Sequence, residues 1–230
     1  MANKITERIQ TGVWPTGTIL PAEIALAQEF GVSVGTLRRA LGDLTAGGML
    51  VRRRKTGTVV TGRTPDHSLH FVYNYFRLHS RGGALQTSVV RMLGHSLRPA
   101  TPAEMTRLEL KEAGDVHEIH RLRVVEGRPV MHERIIIPAH LVPNFPSNPA
   151  DIPDRIYFML WNEYGLKISA IREQVEASLA DEVDREVLEL PDPSAILVLN
   201  EIAYDEMARP LLLNRHRAFT RDDVYINEIH

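Results

Sequence analysis

The sequence contains no cysteine, and this absence narrows the chemistry open to the chain. It excludes a disulfide scaffold, a thiolate metal site and a cysteine nucleophile. No apolar run approaches the roughly 20 residues that span a bilayer, and the first residues, Met1 to Lys4, lack the apolar core of a signal peptide. The 230 residues are 43% hydrophobic, which is enough apolar material for one large or two small cores. We expect a cytoplasmic globular protein without a membrane partner.

Charge is distributed unevenly along the chain. Up to Thr64 there are nine basic and four acidic residues, whereas the remainder holds eighteen basic and twenty-five acidic residues and all ten histidines. This asymmetry predicts two domains, residues 1–64 and residues 65–230. The basic domain is expected to bind a polyanion, and the acidic domain is expected to have a different function.

Two helical patterns in the basic domain are separated by a short turn. The first covers Ala22–Phe30, and Ser33 is a suitable N-cap for a second helix that begins at Val34. The apolar positions of the second helix follow helical spacing at Leu37, Ala40, Leu41 and Leu44. The positions off this stripe include Gly35, Thr36, Arg38 and Arg39. The pattern is typical of a helix-turn-helix, although a packed helical hairpin has the same spacing.

A basic tip follows between two strand-like segments. The apolar run Met49–Val51 leads into the tip, and Thr58–Val60 follows it. The tip consists of Arg52, Arg53, Arg54, Lys55, Thr56 and Gly57. On its own it would suit a solvated turn, but after a helix-turn-helix it predicts the wing of a winged DNA-binding domain. The candidate DNA-binding residues are therefore Ser33, Gly35, Thr36, Arg38, Arg39 and the six residues of the tip.

The acidic domain alternates strand-like and helical segments, which predicts an α+β fold with helices packed on an antiparallel sheet. Helices are expected from a capping box at Thr101 to Leu110, from an Asp154 cap to Tyr164, and over Asp181–Leu190. Strands are expected at Leu69–Tyr75, Gln86–Leu93, Val116–Val125, Pro129–Ile137, Ile168–Ser178, Ala195–Tyr204, Pro210–Phe219 and Val224–Glu228.

A short internal sequence repeat relates the two halves of this domain. The segments Gly127–Arg134 and Ala208–Arg215 share Arg-Pro near the start and Arg at the end, 81 residues apart. Two related hairpins predict a sheet with pseudo-twofold symmetry and a ligand cleft between its halves.

The basic domain resembles the DNA-binding domain of the GntR family of bacterial transcription regulators. The resemblance is carried by Leu20-Pro-Ala-Glu23, Leu26-Ala27, Phe30-Gly-Val-Ser33, Thr36-Leu-Arg38-Arg-Ala-Leu41, Gly48-Met-Leu-Val51 and Gly57-Thr-Val-Val60. Relatives usually have a capping Ser where Ala22 stands and a guanine-reading Arg where Val34 stands. Base recognition is therefore expected to depend on Arg38 and Arg39.

The acidic domain resembles the UTRA ligand-sensing domain of the HutC-like branch of that family. The resemblance is carried by Ile119-His-Arg121-Leu-Arg123, Gly127-Arg-Pro-Val130, Glu133, Ile156-Tyr157, Tyr164-Gly165, Arg209-Pro210 and Arg217. It implies a chorismate-lyase-like fold, a homodimer and a small anionic effector bound by Arg121, Arg123, Glu133, Tyr157 and Arg217. The apolar Leu211-Leu-Leu213 departs from the family and leaves open whether the anion is a sugar phosphate or a smaller, more apolar acid.

The chemistry of these residues agrees with that implication. Arg121 and Arg123 are two apart on a strand, so both point to one sheet face and suit a carboxylate or phosphate. Glu133 on the next strand is expected to accept a ligand hydroxyl or amine. A surface cross-strand ion pair is the alternative interpretation. His117 and His120 fall on opposite faces of their strand, and no metal-binding or cofactor-binding motif occurs.

We therefore predict a transcription regulator, not an enzyme, that binds double-stranded operator DNA as a homodimer. Repression of a palindromic operator, relieved by a small carboxylate or phosphate, is the expected mode. The alternative is an enzyme of chorismate-lyase-like fold that acts on an aromatic or hydroxy acid. A purely structural protein would leave the basic wing and the Arg-x-Arg hairpin unexplained.

Overall fold

The computed structural model describes residues 1–10, 13–15, 17–46, 48–61, 78–82, 86 and 88–226. The predicted strand at Leu69–Tyr75, the boundary after Thr64 and the residues beyond it up to 77 lie outside this part of the chain. The chain forms two compact units, residues 1–87 with 222–230 and residues 88–221. None of the described helices is long and apolar enough to cross a membrane.

The first unit contains a three-helix head with a hairpin. Its elements are α1 (Ala2–Gln10), α2 (Glu23–Glu29), α3 (Val34–Ala46), β1 (Leu50–Arg53) and β2 (Gly57–Val60). A short antiparallel pair, β3 (Leu78–Ser80) and β10 (Asp223–Tyr225), also belongs to this unit and does not join the large sheet. The helix-turn-helix and the wing lie where the sequence predicts them.

The core of the head forms because the apolar stripe of α3 faces the other elements. Leu37, Ala40, Leu41 and Leu44 are all buried, together with Leu26 of α2 and Leu50 of β1. Complete burial of a leucine stabilises a fold by roughly 1.5–3 kcal/mol. The opposite face of α3 consequently remains in solvent.

The second unit is built around one antiparallel sheet. Its strands are β4 (Val89–Pro99), β5 (Asp115–Val125), β6 (Arg128–Pro138), β7 (Ala170–Leu179), β8 (Ala195–Tyr204) and β9 (Pro210–Ala218). Its helices are α4 (Pro102–Arg107), α5 (Ile156–Tyr164) and α6 (Glu182–Val187), with short 3-10 turns at Ala139–Leu141 and Pro149–Asp151. The predicted α+β class is confirmed.

The strand order β4-β5-β6-β9-β8-β7 confirms the predicted pseudo-twofold symmetry. Each half contributes a strand, a helix and a hairpin, and the two hairpins meet at β6 and β9. Arg134 pairs directly with Arg215, 81 residues later, so the approximate axis passes between them.

The ends of the helices agree with some of the capping residues predicted from the sequence and differ from others. Thr101 and Asp181 each form a complete capping box, as predicted for Thr101. Helices α4 and α6 end earlier than predicted because Glu109 and Glu189 adopt left-handed backbone, with φ of 52° and 56°. The predicted Asp154 cap is wrong. Helix α5 begins after Arg155 without a side-chain cap, and the Asp154 carbonyl accepts a hydrogen bond from Arg121 instead.

Strand register divides the side chains between two faces of the sheet. Arg121 pairs with Glu133, and Glu133 pairs with His216, so these three point to one side, which we name the Glu133 face. Arg217, next to His216, points to the other side, the Arg217 face. Helix α5 lies over the Glu133 face, and helices α4 and α6 lie over the Arg217 face, as the contacts of Tyr157, Glu104 and Asp184 show.

Candidate DNA-binding and effector sites

The N-terminus of α3 is held by the predicted cap. The Ser33 hydroxyl accepts a hydrogen bond from the Thr36 backbone N–H at 3.1 Å, which satisfies one of the free donors of the helix end. Gly35, Thr36, Arg38 and Arg39 are exposed, so α3 presents a basic face free of the core. This is the geometry of a recognition helix that enters a major groove.

The wing presents its cations in a tight three-residue turn. Arg53 pairs with Gly57 at the end of the ladder, and the Thr56 N–H closes the turn onto the Arg53 carbonyl at 3.2 Å. Lys55 has a φ of 72° and Gly57 a φ of 104°, both in the left-handed region. The residues of the tip are exposed from Arg52 to Gly57. The tip can therefore approach phosphates without rearrangement.

One acidic residue that the sequence analysis did not single out contacts both DNA-facing elements. Glu23, in the first turn of α2, accepts a hydrogen bond from Arg38 Nε at 2.5 Å and lies 3.6 Å from Arg52 Nη2. These side chains are partly exposed, so the pairs contribute little to stability. Their effect is to orient a recognition-helix arginine and a wing arginine in the absence of DNA.

Glu133 is the centre of a buried polar cluster in the second unit. Its Oε1 atom lies 2.6 Å from Arg121 Nη2 and 2.9 Å from Arg123 Nε. The side chains of Arg121 and Glu133 are only 4% and 2% exposed, and that of Arg123 is 19% exposed. The pair is therefore not the surface ion pair of the alternative interpretation. Of these three side chains, that of Arg123 is the most exposed to solvent.

The other oxygen of Glu133 is also surrounded by protein donors. Oε2 lies 3.4 Å from Asn214 Nδ2 and 3.3 Å from His216 Nδ1. Burial alone would raise the pKa of Glu133, but Arg121, Arg123 and His216 outweigh burial and hold that pKa well below its ordinary value. That Glu133 accepts a ligand hydroxyl or amine stays a prediction. The carboxylate organises the arginines, and both of its oxygens face protein donors.

His216 lies between two carboxylates. Its Nε2 atom is 3.2 Å from Glu201 Oε2, and its Nδ1 atom faces Glu133 on the other side, at angles that do not form aligned hydrogen bonds. Burial lowers the pKa of His216, but Glu201 and Glu133 outweigh burial and raise that pKa to about 9. Three cations, Arg121, Arg123 and His216, then face the two buried carboxylates of Glu133 and Glu201, and the half-buried Glu173 pairs directly with Glu201 on the same face of the sheet.

Tyr157 of α5 closes this cluster from above the sheet. Its hydroxyl donates to Glu201 at 3.3 Å and accepts from Asn214 at 3.5 Å. Two buried atoms of this cluster have no hydrogen-bond partner, Arg121 Nε and Asn214 Oδ1. Unsatisfied buried polar atoms are rare in folded proteins and cost free energy. They give this site capacity for a polar ligand or ordered water.

The structure separates Arg217 from the other four predicted effector residues. On the Arg217 face it donates to Asp184 through Nε at 2.7 Å, and it is 7% exposed. Arg217 therefore anchors α6 to the sheet, and grouping it with Arg121 is corrected by strand alternation. Residues that the sequence analysis missed, Glu201, Asn214 and His216, occupy the Glu133 face instead.

The apolar run in β9 is likewise divided between the faces. Leu213 packs with Leu108, Val116 and Ile136 beneath α4 on the Arg217 face. Leu212 pairs with Ala203 and is the member of this run that shares a face with Asn214. The run therefore alters the effector side of the sheet at one position.

Histidines form two separate pairs on opposite faces. His117 lies 3.0 Å from His95, and His120 lies 3.0 Å from His132, measured between ring nitrogens. Within the described ranges, no group of three or more His, Cys, Asp or Glu side chains is placed to hold a metal ion. Burial lowers the pKa of His120 to about 4, with Arg134 adding to the effect, so this ring is neutral at physiological pH.

Family comparisons decide the identity of both units. Residues 1–60 match the family of bacterial regulatory proteins named gntR, and residues 84–220 match the UTRA domain. The chain belongs to the GntR family, in its UTRA-containing, HutC-like branch. It is a ligand-responsive, DNA-binding transcription regulator, as predicted.

Individual relatives agree with this assignment. The chain is 29% identical to the HTH-type transcriptional regulator GmuR of Bacillus subtilis over 94% of this chain and 92% of GmuR. It is 24% identical to the HTH-type transcriptional repressor NagR of the same species, over 87% and 81%. The crystal structure of YydK from Bacillus subtilis, described as a possible transcriptional regulator, has a TM-score of 0.67 at 18% identity and covers 100% of this chain and 97% of that one. These relatives are regulators, which decides against the alternative of an enzyme.

Proposed function

We propose that this GntR-family regulator is a cytoplasmic repressor that binds a palindromic operator as a homodimer and leaves it when a small anion occupies the Glu133 cluster. The cluster comprises Arg121, Arg123, Glu133, Tyr157, Glu201, Asn214 and His216. The observation that carries the proposal is the meeting of three cationic side chains with buried polar atoms that lack a hydrogen-bond partner. The relative NagR is named a repressor, which supports repression over activation.

The DNA interface is assigned to α3 and the wing. The exposed residues Gly35, Thr36, Arg38 and Arg39 would face base edges and the nearby backbone, with Ser33 at the start of the helix. The tip from Arg52 to Gly57 would contact phosphates or the minor groove. Val34 is half-buried against the head core, which leaves Arg38 and Arg39 as the basic readers of α3.

The effector is assigned to the chemical class of carboxylates and phosphates. Arg123 is the most accessible cation of the cluster, and Arg121 offers a buried Nε–H without a partner. Asn214 Oδ1 is an unpaired acceptor beside them, so a ligand hydroxyl would add a second point of recognition. An anionic ligand with a hydroxyl group fits both features.

Release follows from differential affinity. A ligand shifts a conformational equilibrium only as far as it binds the two states unequally. The anion must therefore favour the form of the protein whose heads do not fit the operator.

The test uses Arg123→Ala, because this arginine is partly exposed and its loss leaves Arg121 to neutralise Glu133. Arg134→Ala is the matched control, since Arg134 lies on the adjacent strand but on the Arg217 face. Operator DNA is first selected from sequences beside the regulator's own gene. Fluorescence anisotropy then follows release of labelled operator as small carboxylates and sugar phosphates are added.

We expect the wild type and Arg134→Ala to release the operator with one of these anions. Arg123→Ala should bind the operator normally but need at least about ten-fold more anion, the loss of one charge-assisted hydrogen bond. Unchanged release by Arg123→Ala would place the effector outside the Glu133 cluster. Failure to bind any DNA would overturn the assignment of α3 and the wing.

A further inference from the structure

A row of polar residues crosses the Arg217 face between its two apolar clusters. One cluster lies beneath α4 and includes Val116 and Leu213. The other lies beneath α6 and includes Leu122 and Val198. Between them each strand contributes one residue, and neighbouring members pair directly across the sheet. We name this set the polar row: Gly94, His120, Arg134, Arg215, Asn200 and Gln174.

Two arginines lie directly opposite each other in the middle of the polar row. Arg134 of β6 pairs with Arg215 of β9, so both side chains leave the same face from neighbouring positions. Like charges directly opposite each other destabilise a sheet. Arg134 is compensated by Glu118, whose Oε1 atom lies 2.7 Å from Arg134 Nη1. Arg215 is exposed, and within the described part of the chain its guanidinium forms neither an ion pair nor a hydrogen bond.

The carboxylates that touch the row are already engaged. Besides its contact with Arg134, Glu118 accepts a hydrogen bond from Arg98 Nε at 2.6 Å through its other oxygen. Burial raises the pKa of Glu118, but Arg98 and Arg134 outweigh burial and lower that pKa. Glu176 accepts a hydrogen bond from Asn200 Nδ2 at 3.3 Å. An anion from outside the protein is therefore needed to bridge the two opposed arginines.

His120 stands at the end of a hydrogen-bonded chain that fixes its tautomer. Burial raises the pKa of Asp184, but Arg217 and His132 outweigh burial and hold that pKa below its ordinary value, so the carboxylate only accepts hydrogen bonds. His132 Nε2, 2.8 Å from Asp184 Oδ1, must therefore carry a proton. Burial lowers the pKa of His132, so its Nδ1 atom is an acceptor at neutral pH. His120 Nε2, 3.0 Å from this atom, is consequently the donor.

The remaining nitrogen of His120 is then an acceptor. Burial lowers the pKa of His120 to about 4, with Arg134 adding to the effect, so Nδ1 keeps its lone pair at neutral pH. Among the described residues, Nδ1 has no hydrogen-bond partner. Gly94 lies directly beside His120 and has no side chain, and apart from its chain neighbours no atom lies within 4 Å of the position that a Cβ would take. A ligand can approach His120 from this side.

We propose that the polar row binds hydrogen phosphate. Arg134 and Arg215 donate to its charged oxygens, and its O–H donates to His120 Nδ1. Two guanidinium groups on one face suit an oxyanion, because hydrogen bonds between charged groups are the strong ones. Sulfate has the same shape but carries no proton at neutral pH, so it would leave the acceptor nitrogen of His120 facing another acceptor. His120 therefore selects the protonated anion.

The polar row and the Glu133 cluster lie on opposite faces of the sheet, so operator release through that cluster is not expected to depend on phosphate bound to the row. The two sites are distinguished by working in an Arg123→Ala background, in which the anion site of the Glu133 cluster is weakened. Inorganic phosphate and sulfate are titrated calorimetrically, at equal ionic strength and neutral pH, into the full chain without DNA.

We expect phosphate to bind this background protein and sulfate to bind at least about ten-fold more weakly. Adding Arg215→Ala should weaken phosphate binding at least about ten-fold, the loss of one charge-assisted hydrogen bond. Arg172→Ala is the matched control, because it removes an exposed arginine from the same face at the edge of the sheet. Absence of phosphate binding, or equal losses in Arg215→Ala and Arg172→Ala, would overturn the site.

His120→Leu measures the selectivity independently. Without the acceptor nitrogen, phosphate should bind as weakly as sulfate, with the fold intact by circular dichroism. The ring nitrogens of His120 give a second measurement in the unsubstituted site, since phosphate should shift the NMR signal of Nδ1 and sulfate should not. Equal affinity for the two anions would overturn the role of His120. Tighter binding of glycerol phosphate than of inorganic phosphate at pH 6, where the ester also keeps an O–H, would replace the free ion by a phosphate monoester.

Discussion

Replacing Glu201 by glutamine removes one of the two carboxylates that hold His216 protonated. The pKa of His216 is raised from its ordinary 6.5 to about 9, with burial opposing and Glu201 and Glu133 favouring the charged ring. A group with a raised pKa in the folded state stabilises the fold fully below its unfolded pKa. This contribution therefore declines from about pH 6.5 and is lost above about pH 9.

The magnitude follows from the size of the shift. One pKa unit corresponds to about 1.4 kcal/mol, so His216 contributes on the order of 3 kcal/mol at pH 6 and none at pH 9.5. In Glu201→Gln the pKa of His216 should fall, and the loss of stability between these pH values should be roughly halved. At pH 9.5 the variant should be at least as stable as the wild type, because two anions no longer face a neutral ring.

Urea unfolding at pH 6 and pH 9.5 measures this difference. The chain has two tryptophans, one in each unit, so a Trp14→Phe background leaves Trp161 to report on the second unit alone. Glu186→Gln, an exposed carboxylate on α6, is the control and should follow the wild type. An equal loss of stability in the wild type and in Glu201→Gln would refute the assignment of a charged His216 held by these two carboxylates.

Three further predictions concern the head. Replacing Arg53 and Lys55 by alanine should weaken binding to all DNA sequences alike and flatten the salt dependence of the dissociation constant, whereas an unchanged slope would remove the wing from phosphate contact. Arg38→Ala should cost about 1–3 kcal/mol on the operator and much less on random DNA in the same anisotropy assay, and equal losses would make it a backbone contact. Ala22→Ser should stabilise the head by about 1 kcal/mol in urea unfolding followed by Trp14, because Ala22 is an N-cap without a side-chain hydrogen bond; no gain would mean that the serine fails to cap α2.

Features fixed by neighbouring residues could be predicted from the sequence. Ser33, the apolar stripe of α3 and the capping box at Thr101 involve contacts within about four residues, so spacing alone identifies them. The shared face of Arg121 and Arg123 follows from strand alternation in the same way. The internal repeat, with its spacing of 81 residues, also made one long-range feature predictable, because it placed the two hairpins on either side of an approximate axis.

Features that depend on distant pairing could not be predicted. Which face Arg217 occupies relative to Glu133 depends on the register between β6 and β9, two strands far apart in the chain. The same register brings His216 and Asn214 to Glu133. The sequence held one indication of this contact, since the internal repeat aligns Asn214 with Glu133. The contact of Glu23 with Arg38 depends on the packing of α2 against α3, which spacing within either helix does not reveal.

In the proposed function, an anion site in the UTRA domain is coupled to operator binding by the head of the same chain. Coupling between two ligands is reciprocal, so each must weaken the other by the same factor. Calorimetric titration of the operator-releasing anion into free protein and into the protein–operator complex measures that factor directly. We expect the anion to bind the complex more weakly, by the factor with which the anion weakens operator binding, and equal affinity in both titrations would contradict the coupling.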